Sequence, residues 1–476
     1  MLDPHLAPSN PGYSSTAKIL RGILLGVAMA ALNQVAYAND QPPVELPANP
    51  PIRVQIMDST TEVGFQAAEG EWSVRSGSGE VLLNLPSDKE TTIAVGRESG
   101  ELVWFTEGTQ PVQLASGGTA IILASSDPDS TVRIRQVPYG VGWWWETKED
   151  RLYEGQLEIR ASAKATVAII NELPLESYLR GVVPSEIGVD SPFEALCAQA
   201  VAARSAAILA LTSDIYRGYG YDICSDVACQ AFSGLNKATA LSDQAVSATR
   251  GLILVYDGRP LSAYYASNSG GHTEDIRAVW PDRAQDQAYW DTGIYDGEGT
   301  FTLDLRTEEG FAEWLASSPE VWSNPAHNTM PSWAGRNFRW EREIEAKSWS
   351  DSLSEKYPQL GPIIQMRPLQ RGVSGRLIRL ELIGENGRVE VGPELAIRQL
   401  FHPPLRSAAF QVEAVSTGDR GGDRPSVFIV RGAGWGHGVG MCQSGAIAMA
   451  HRGRHHRDIL KNYYPKATLV QVYLGE

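Results

Sequence analysis

A chain of 476 residues is long enough for two or three domains with a substantial core, and 43% hydrophobic and 20% charged residues are ordinary globular values. The formal net charge of −15 argues against nucleic-acid binding, which calls for a basic stripe. It equally excludes attraction of an anionic polymer by bulk charge, so any such ligand must be held locally, by arginines and neutral donors.

The first element is a targeting segment. Lys18 and Arg21 precede the apolar run "GILLGVAMAAL", and "NQVAYA" ends in Ala36-Tyr37-Ala38, a small-x-small cleavage pattern. Residues 1–38 therefore read as a signal peptide, which predicts export to the periplasm, the cell wall or the exterior. The run falls short of the ~20 residues of a membrane span, so no stable transmembrane span is expected after cleavage. Losing Lys18, Arg21 and Asp3 would take the net charge from −15 to −16. Residues 39–51, "NDQPPVELPANPP", form a proline-rich linker.

From 52 to 160 the sequence alternates short strands with Gly, Ser and Asp-Pro breaks: "IRVQIM", "SVRSGSGEVLLNL", "TTIAVG", "GTAIILAS", "STVRIRQV", "GQLEIRAS". This predicts an antiparallel, β-rich N-terminal part. "VGWWWETK" adds three adjacent tryptophans, read either as core with a sheet edge or as a sugar-stacking platform. Residues 161–476 read as a mixed α/β core, the whole being α+β. "ATVAIINELPLESYLRGVVPSEIG" predicts a strand, a short helix and then an irregular turn. "SPFEALCAQAVAARSAAILAL" is a helix, with Ser191 and Glu194 as a capping box and Pro192 in the first turn; its Ala-rich body suits a central buried position. A further helix is expected around "KATALSDQAVSATRG", followed by strands "LILVYDG" and "PLSAYYASNSGG". Residues 281–372, with scattered Trp and Pro, read as insertions. Strands then return in "GRLIRLELIGENGRVEVG", "AAFQVEAV" and "SVFIVRGAG", before a last helix "HHRDILKNYYP" and the strand "TLVQVYLG".

"GAGWGHGVGMCQSG" places glycine at every second position from Gly432 to Gly440. The spacing fits neither a dinucleotide fingerprint nor a phosphate-binding P-loop. A period of two predicts a strand with one bare glycine face and one Trp435/His437/Val439/Met441 face. Two uses are open: close packing of the following helix on the bare face, or presentation of Trp435 and His437 in a cleft. Cys442 and His437 stand too close on one extended segment to face each other as a thiol–imidazole pair. Of the other cysteines, Cys224 and Cys229 frame "CSDVAC", which reads as a local disulfide or a zinc loop; Cys197 is the fourth.

"VVPSEIG" sets Glu186 among Val182, Val183, Pro184 and Ile187. A carboxyl in apolar surroundings has its charged form disfavoured, so it can carry a proton near neutral pH, as a general acid requires. Capping or ion pairing is the plainer reading. "YYASNSGGHTE" offers Ser267, Asn268, Ser269 and backbone N–H donors in one loop, or a simple turn.

These motifs, with "YDICSDVACQAFSG" and "FRWERE", occur in the order seen in the SpoIID/LytB family, and the resemblance runs from about residue 52 to 471. It implies an enzyme acting on peptidoglycan: a lytic transglycosylase that cuts the β-1,4 bond between N-acetylmuramic acid and N-acetylglucosamine in strands stripped of stem peptides. The family's essential glutamate maps onto Glu186. Expected substrate contacts are Gln199, Arg204, Ser267, Ser269, Trp435, His437 and Gln443, with His437 lining the cleft. No cofactor is expected. Some members bind zinc at the Cys loop with histidines, but Ala228 stands where one is often found, which favours a Cys224–Cys229 bridge. The alternative function is a non-catalytic wall-binding protein that positions a cell-wall amidase.

Overall fold

The computed structural model describes residues 46–473 apart from 88, 97–100, 107–109, 116–119, 142–144, 163, 214–216, 227–228, 284–285, 291 and 417–423. The expected signal peptide and most of the linker lie outside the described residues, as do Trp143 and Trp144. The chain divides into two compact units. The first holds residues up to Val189, Gln199–Ser262 and Thr468 onward; the second holds Asp190–Ala198 and Ala263–Ala467. The expected boundary near residue 160 is thus not where the division falls.

The α+β reading holds. In the first unit a seven-stranded sheet runs in the order Ile223–Cys224, Pro51–Thr60, Val167–Pro174, Gln156–Ala161, Ile121–Ala124, Ser73–Ser76, Val81–Asn84. Its pairings are antiparallel except that of Pro51–Thr60 with Ile223–Cys224. A six-stranded antiparallel sheet has the order Thr147–Tyr153, Thr131–Tyr139, Glu62–Glu69, Thr91–Val95, Leu102–Thr106, Val112–Ala115. Period-two burial builds both sheets: Ile52, Val54 and Ile56 face the core on one strand, Thr91, Ile93 and Val95 on another. Val167–Pro174 is buried except at Glu172 and Pro174, led by the apolar run Val167–Ile170. It leads directly into the helix Leu175–Ile187.

The helix Phe193–Thr212 is apolar on all sides and mostly buried, with Ala195, Ala198, Ala202, Ala203 and Ala207 fully buried. Glu194 does not spend its carboxylate on the expected capping box. Its Oε2 accepts from the His456 backbone N–H at 2.7 Å and from His456 Nδ1 at 2.8 Å.

In the second unit the segment 281–372 is no decoration: Trp340, Trp349, Ile363 and Met366 from it share one core with Leu380, Phe401, Phe410 and Phe428. The Trp349 ring stacks on Phe401 at 5.0 Å. A second cluster packs Phe311, Trp314 and Phe338. Two three-stranded antiparallel sheets carry these cores, Arg339–Glu345/Val427–Ala433/Phe410–Val415 and Ile363–Arg371/Leu377–Gly384/Arg388–Val391. The weak pattern of 281–372 reflects short elements buried by tryptophans rather than by periodic aliphatics.

Candidate functional site

Glu186 sits in the last turn of the helix Leu175–Ile187, not in an irregular turn. Pro184 is tolerated inside this helix, and Gly188, at φ 91°, ends it while donating to the Pro184 carbonyl. The carboxylate is half-buried, and its Oε1 accepts from the backbone N–H of Ala231 at 2.6 Å.

That N–H is held by a heavily pinned segment. A disulfide joins Cys224 to Cys229, with Cα atoms 5.6 Å apart. Phe232 N–H donates to the Ser225 carbonyl at 3.0 Å, and the buried Arg151 guanidinium donates to the Phe232 carbonyl at 2.9 Å. Tyr178 donates its hydroxyl to Gln230 Oε1, and Ser185 and Ser233 join hydroxyl to hydroxyl. Gly181 lets the segment lie on the helix: a Cβ there would fall 2.4 Å from the Gly234 carbonyl oxygen. Two phenols border the acid. Burial raises the Tyr139 and Tyr178 hydroxyls above the usual phenol range, and the nearby charge of Glu186 raises them further. The arrangement fixes one oxygen of a single carboxyl and orients the group.

Both sulfurs of the Cys loop are in the bridge, which leaves that loop no thiolate for zinc. Among the described residues, Glu194, His455 and His456 bring ligand atoms within 4.8 Å of one another. There the carboxylate is engaged by His456, as described.

Arg204, expected at the substrate, is fully buried. It grips Glu176 with two parallel bonds of 2.8 Å and donates to the Val246 and Leu252 carbonyls. Burial would raise the Glu176 carboxyl, but Arg204, then the Tyr473 hydroxyl and Gly251 N–H, hold it below the usual range. Gln199 is likewise wholly buried.

In the second unit the glycine run is strand only at Gly432 and Ala433, the end of Val427–Ala433, and leaves the sheet from Gly434. Gly434, Gly436, Gly438 and Gly440 all have φ between 74° and 100°, a region closed to most side chains. Their alternation therefore serves a winding backbone, not a bare sheet face. Space is short too: a Cβ on Gly438 would sit 2.5 Å from the Arg376 guanidinium carbon, and one on Gly440 2.1 Å from the Tyr264 carbonyl oxygen. The winding turns His437 inward. Its Nε2 lies 3.0 Å from the Tyr265 carbonyl and its Nδ1 accepts from Val439 N–H at 3.0 Å, so the ring is neutral with a proton on Nε2. Trp280 packs against it at 4.7 Å, and burial, ahead of neighbouring positive charges, drives its basicity far down. His437, expected to line a cleft, is 3% exposed, and both its ring nitrogens are spent on the backbone.

Ser269 is buried as well and donates to Asp296 Oδ2 at 2.8 Å, while Tyr463 donates to Oδ1. Burial raises the Asp296 carboxyl despite these bonds. Cys442 accepts from Ser269 N–H and caps the helix Gln443–His451 through Gly445 N–H; burial, then the nearby Asp296, pushes its thiol up to about 12, the character of a structural cysteine. Gln443 is buried in the same helix. Ser267 and Trp435 are only half-buried. Ser267 Oγ accepts from Asn337 Nδ2 at 3.0 Å, and Trp435 exchanges backbone bonds with Asn268. Sequence reasoning missed Tyr139, Tyr178 and Asp296, none of which stands in a motif that signals its partner.

A family model described as stage II sporulation protein, SpoIID, matches residues 163–256, which include Glu186 and the disulfide. A domain of unknown function, DUF8618, matches 281–440. An uncharacterised protein of Brachyspira hyodysenteriae is 27% identical over 307 residues, 64% of this chain and 69% of that protein. Stage II sporulation protein D of Bacillus amyloliquefaciens is 27% identical over 310 residues, 62% of this chain and 74% of the relative. The amidase enhancer of Bacillus subtilis is 25% identical over 307 residues, 61% of this chain but 40% of its own length. Residues 163–256 are thus similar to the SpoIID family model, and the chain at large is similar to relatives named stage II sporulation protein D and amidase enhancer, which supports the SpoIID/LytB resemblance.

Proposed function

We propose that the chain is an exported, peptidoglycan-active lytic transglycosylase with Glu186 as its general acid and base. The observation that carries this reading is the position of Glu186: a half-exposed carboxyl inside the SpoIID match, oriented through Oε1 by the Ala231 N–H. One such group suffices for the reaction. As the acid it protonates the bridging oxygen while the C1–O bond breaks. As the carboxylate it then takes the proton from the sugar's own C6 hydroxyl as O6 bonds to C1, giving a 1,6-anhydro end. Neither an activated water nor a second carboxylate is required, unlike ordinary glycoside hydrolysis.

Glu186→Gln tests it. The amide keeps an oxygen for the Ala231 N–H, so fold and binding should survive, but it has no proton to give. The expected loss is ~10²–10⁴ in rate, roughly 3–5 kcal/mol of barrier. Mass analysis of strand ends reads the anhydro product, and near wild-type release by the variant would overturn the assignment. The named amidase enhancer among the relatives supports a second reading, a wall-binding protein that positions an amidase. A wild-type chain that binds glycan and releases no anhydro ends from intact or peptide-stripped strands would favour it.

A further inference from the structure

Trp435 and two arginines form a group whose charge is unbalanced. Arg406 lies over the Trp435 ring, its guanidinium carbon 5.7 Å from the centroid. Its Nη1 donates to the Arg336 carbonyl at 3.2 Å, and Gly436 N–H of the glycine run holds the Arg406 carbonyl at 2.9 Å. Arg336 ends the short helix Ser332–Gly335 and is exposed, whereas Arg406 is half-buried. Burial first, and then the positive charge of Arg336, weakens the hold of Arg406 on its proton. Other arginines of this unit are matched, by acids in Arg431 with Glu341 and Glu413 and Arg371 with Glu308, or by several backbone carbonyls in Arg339 and Arg342. Among the described residues, Arg336 and Arg406 make no ion pair with a carboxylate. Two like charges near each other, one of them over an aromatic ring, in a chain of net charge −15, form a local site for an anion.

We propose that Arg336 and Arg406 bind the free lactyl carboxylate of an N-acetylmuramic acid unit that has lost its stem peptide. The inference rests on the peptidoglycan reading above and names what selects the substrate within it. In a peptide-bearing strand that carboxyl is an amide and carries no charge; once the peptide is removed it is an anion. Guanidinium forks match a carboxylate with paired N–H donors, and charge-assisted bonds of this kind are the strong ones. An amide offers one acceptor oxygen and no charge, so the pair discriminates stripped from intact strands. N-acetylglucosamine polymers, which lack the lactyl group, should also be refused.

The test uses the full chain carrying Glu186→Gln, so that strands remain uncut, and measures binding to three probes. These are peptide-stripped glycan, the same glycan with its carboxyls converted to methylamides, and an N-acetylglucosamine oligomer. Stripped glycan should bind roughly tenfold to a hundredfold tighter than the methylamide form. Arg336→Gln, a change at an exposed position, should erase much of that ratio, and Arg336→Gln with Arg406→Gln should bind both forms alike. Equal binding of the two forms by the parent chain overturns this inference while leaving the wall reading in place. Binding of no probe overturns both.

Discussion

Gly181→Ala tests how far the Glu186 geometry depends on backbone packing. The new Cβ would stand 2.4 Å from the Gly234 carbonyl oxygen and 2.6 Å from Cε2 of Phe232. Neither neighbour yields cheaply. One is backbone, and the other is a buried ring packed against Tyr153 at 5.8 Å and Tyr178 at 5.0 Å. Relief requires the 231–234 segment to lift off the helix by ~1 Å, which carries the Ala231 N–H away from Glu186. Alanine gains roughly 1 kcal/mol in helix propensity, while overpacking costs about 1–3 kcal/mol, so net destabilisation should be about 0–2 kcal/mol. The effect on cleavage should be larger, because a misplacement of ~1 Å at a reacting group can cost ~10² in rate. Denaturant unfolding and the rate of anhydro-end release, on the same preparation, separate the two. Gly218→Ala is the control, since nothing lies within 4 Å of the point its Cβ would occupy. A Gly181→Ala chain as stable and as fast as the Gly218→Ala control would refute the reasoning.

Arg204→Met should cost about 3–5 kcal/mol, because it leaves the Glu176 carboxylate buried without its counter-charge. Pairing it with Glu176→Gln should recover much of that loss in the same unfolding assay. His272, held by burial at about 4 against an ordinary 6.5, makes stability depend on pH. Its folded pKa is depressed, so the stabilisation is complete above pH 6.5 and drains away as pH falls toward 4, by roughly 3 kcal/mol for a shift of this size. Unfolding measured from pH 7 to pH 4 should be less steep in His272→Gln; an unchanged slope would remove His272 from the account.

Strands of the first unit could be read from sequence because each buries one face, and period two then writes itself into the residues, as in Thr91–Val95 and Ile121–Ala124. The turn around Glu186 could not. Pro184 signals a break, yet the helix runs through it to Ile187, where Ser185 Oγ and Gly188 N–H donate to the Gly181 and Pro184 carbonyls. The glycine run misled for a different reason. A period of two arises equally from an alternating sheet face and from a backbone that needs positive φ at every second residue, and composition alone does not separate them. Only the neighbours decide, here Tyr264 and Arg376 packed against bare α-carbons. The segment 281–372 hid its core because Trp314, Trp340 and Trp349 bury much area at wide spacing, without a repeat to betray a helix or strand.

The motif residues divide by burial, and the division bears on what a motif is evidence of. Arg204, Ser269, His437 and Gln443 are buried, and Arg204, Ser269 and His437 spend their polar atoms on partners inside their own unit. They hold backbone segments in place: Arg204 ties the Glu176 end of one helix, and His437 ties the glycine run to the Tyr265 strand. Glu186, Ser267 and Trp435 keep part of their surface exposed. A histidine between glycines looks like chemistry, yet its burial makes it a neutral strut whose protonation would cost far more than a surface histidine's. Substituting His437 should therefore damage stability first and turnover only through it, whereas substituting Glu186 should do the reverse. That contrast, rather than loss of activity alone, separates a residue that reacts from one that merely keeps the reacting residue where it is.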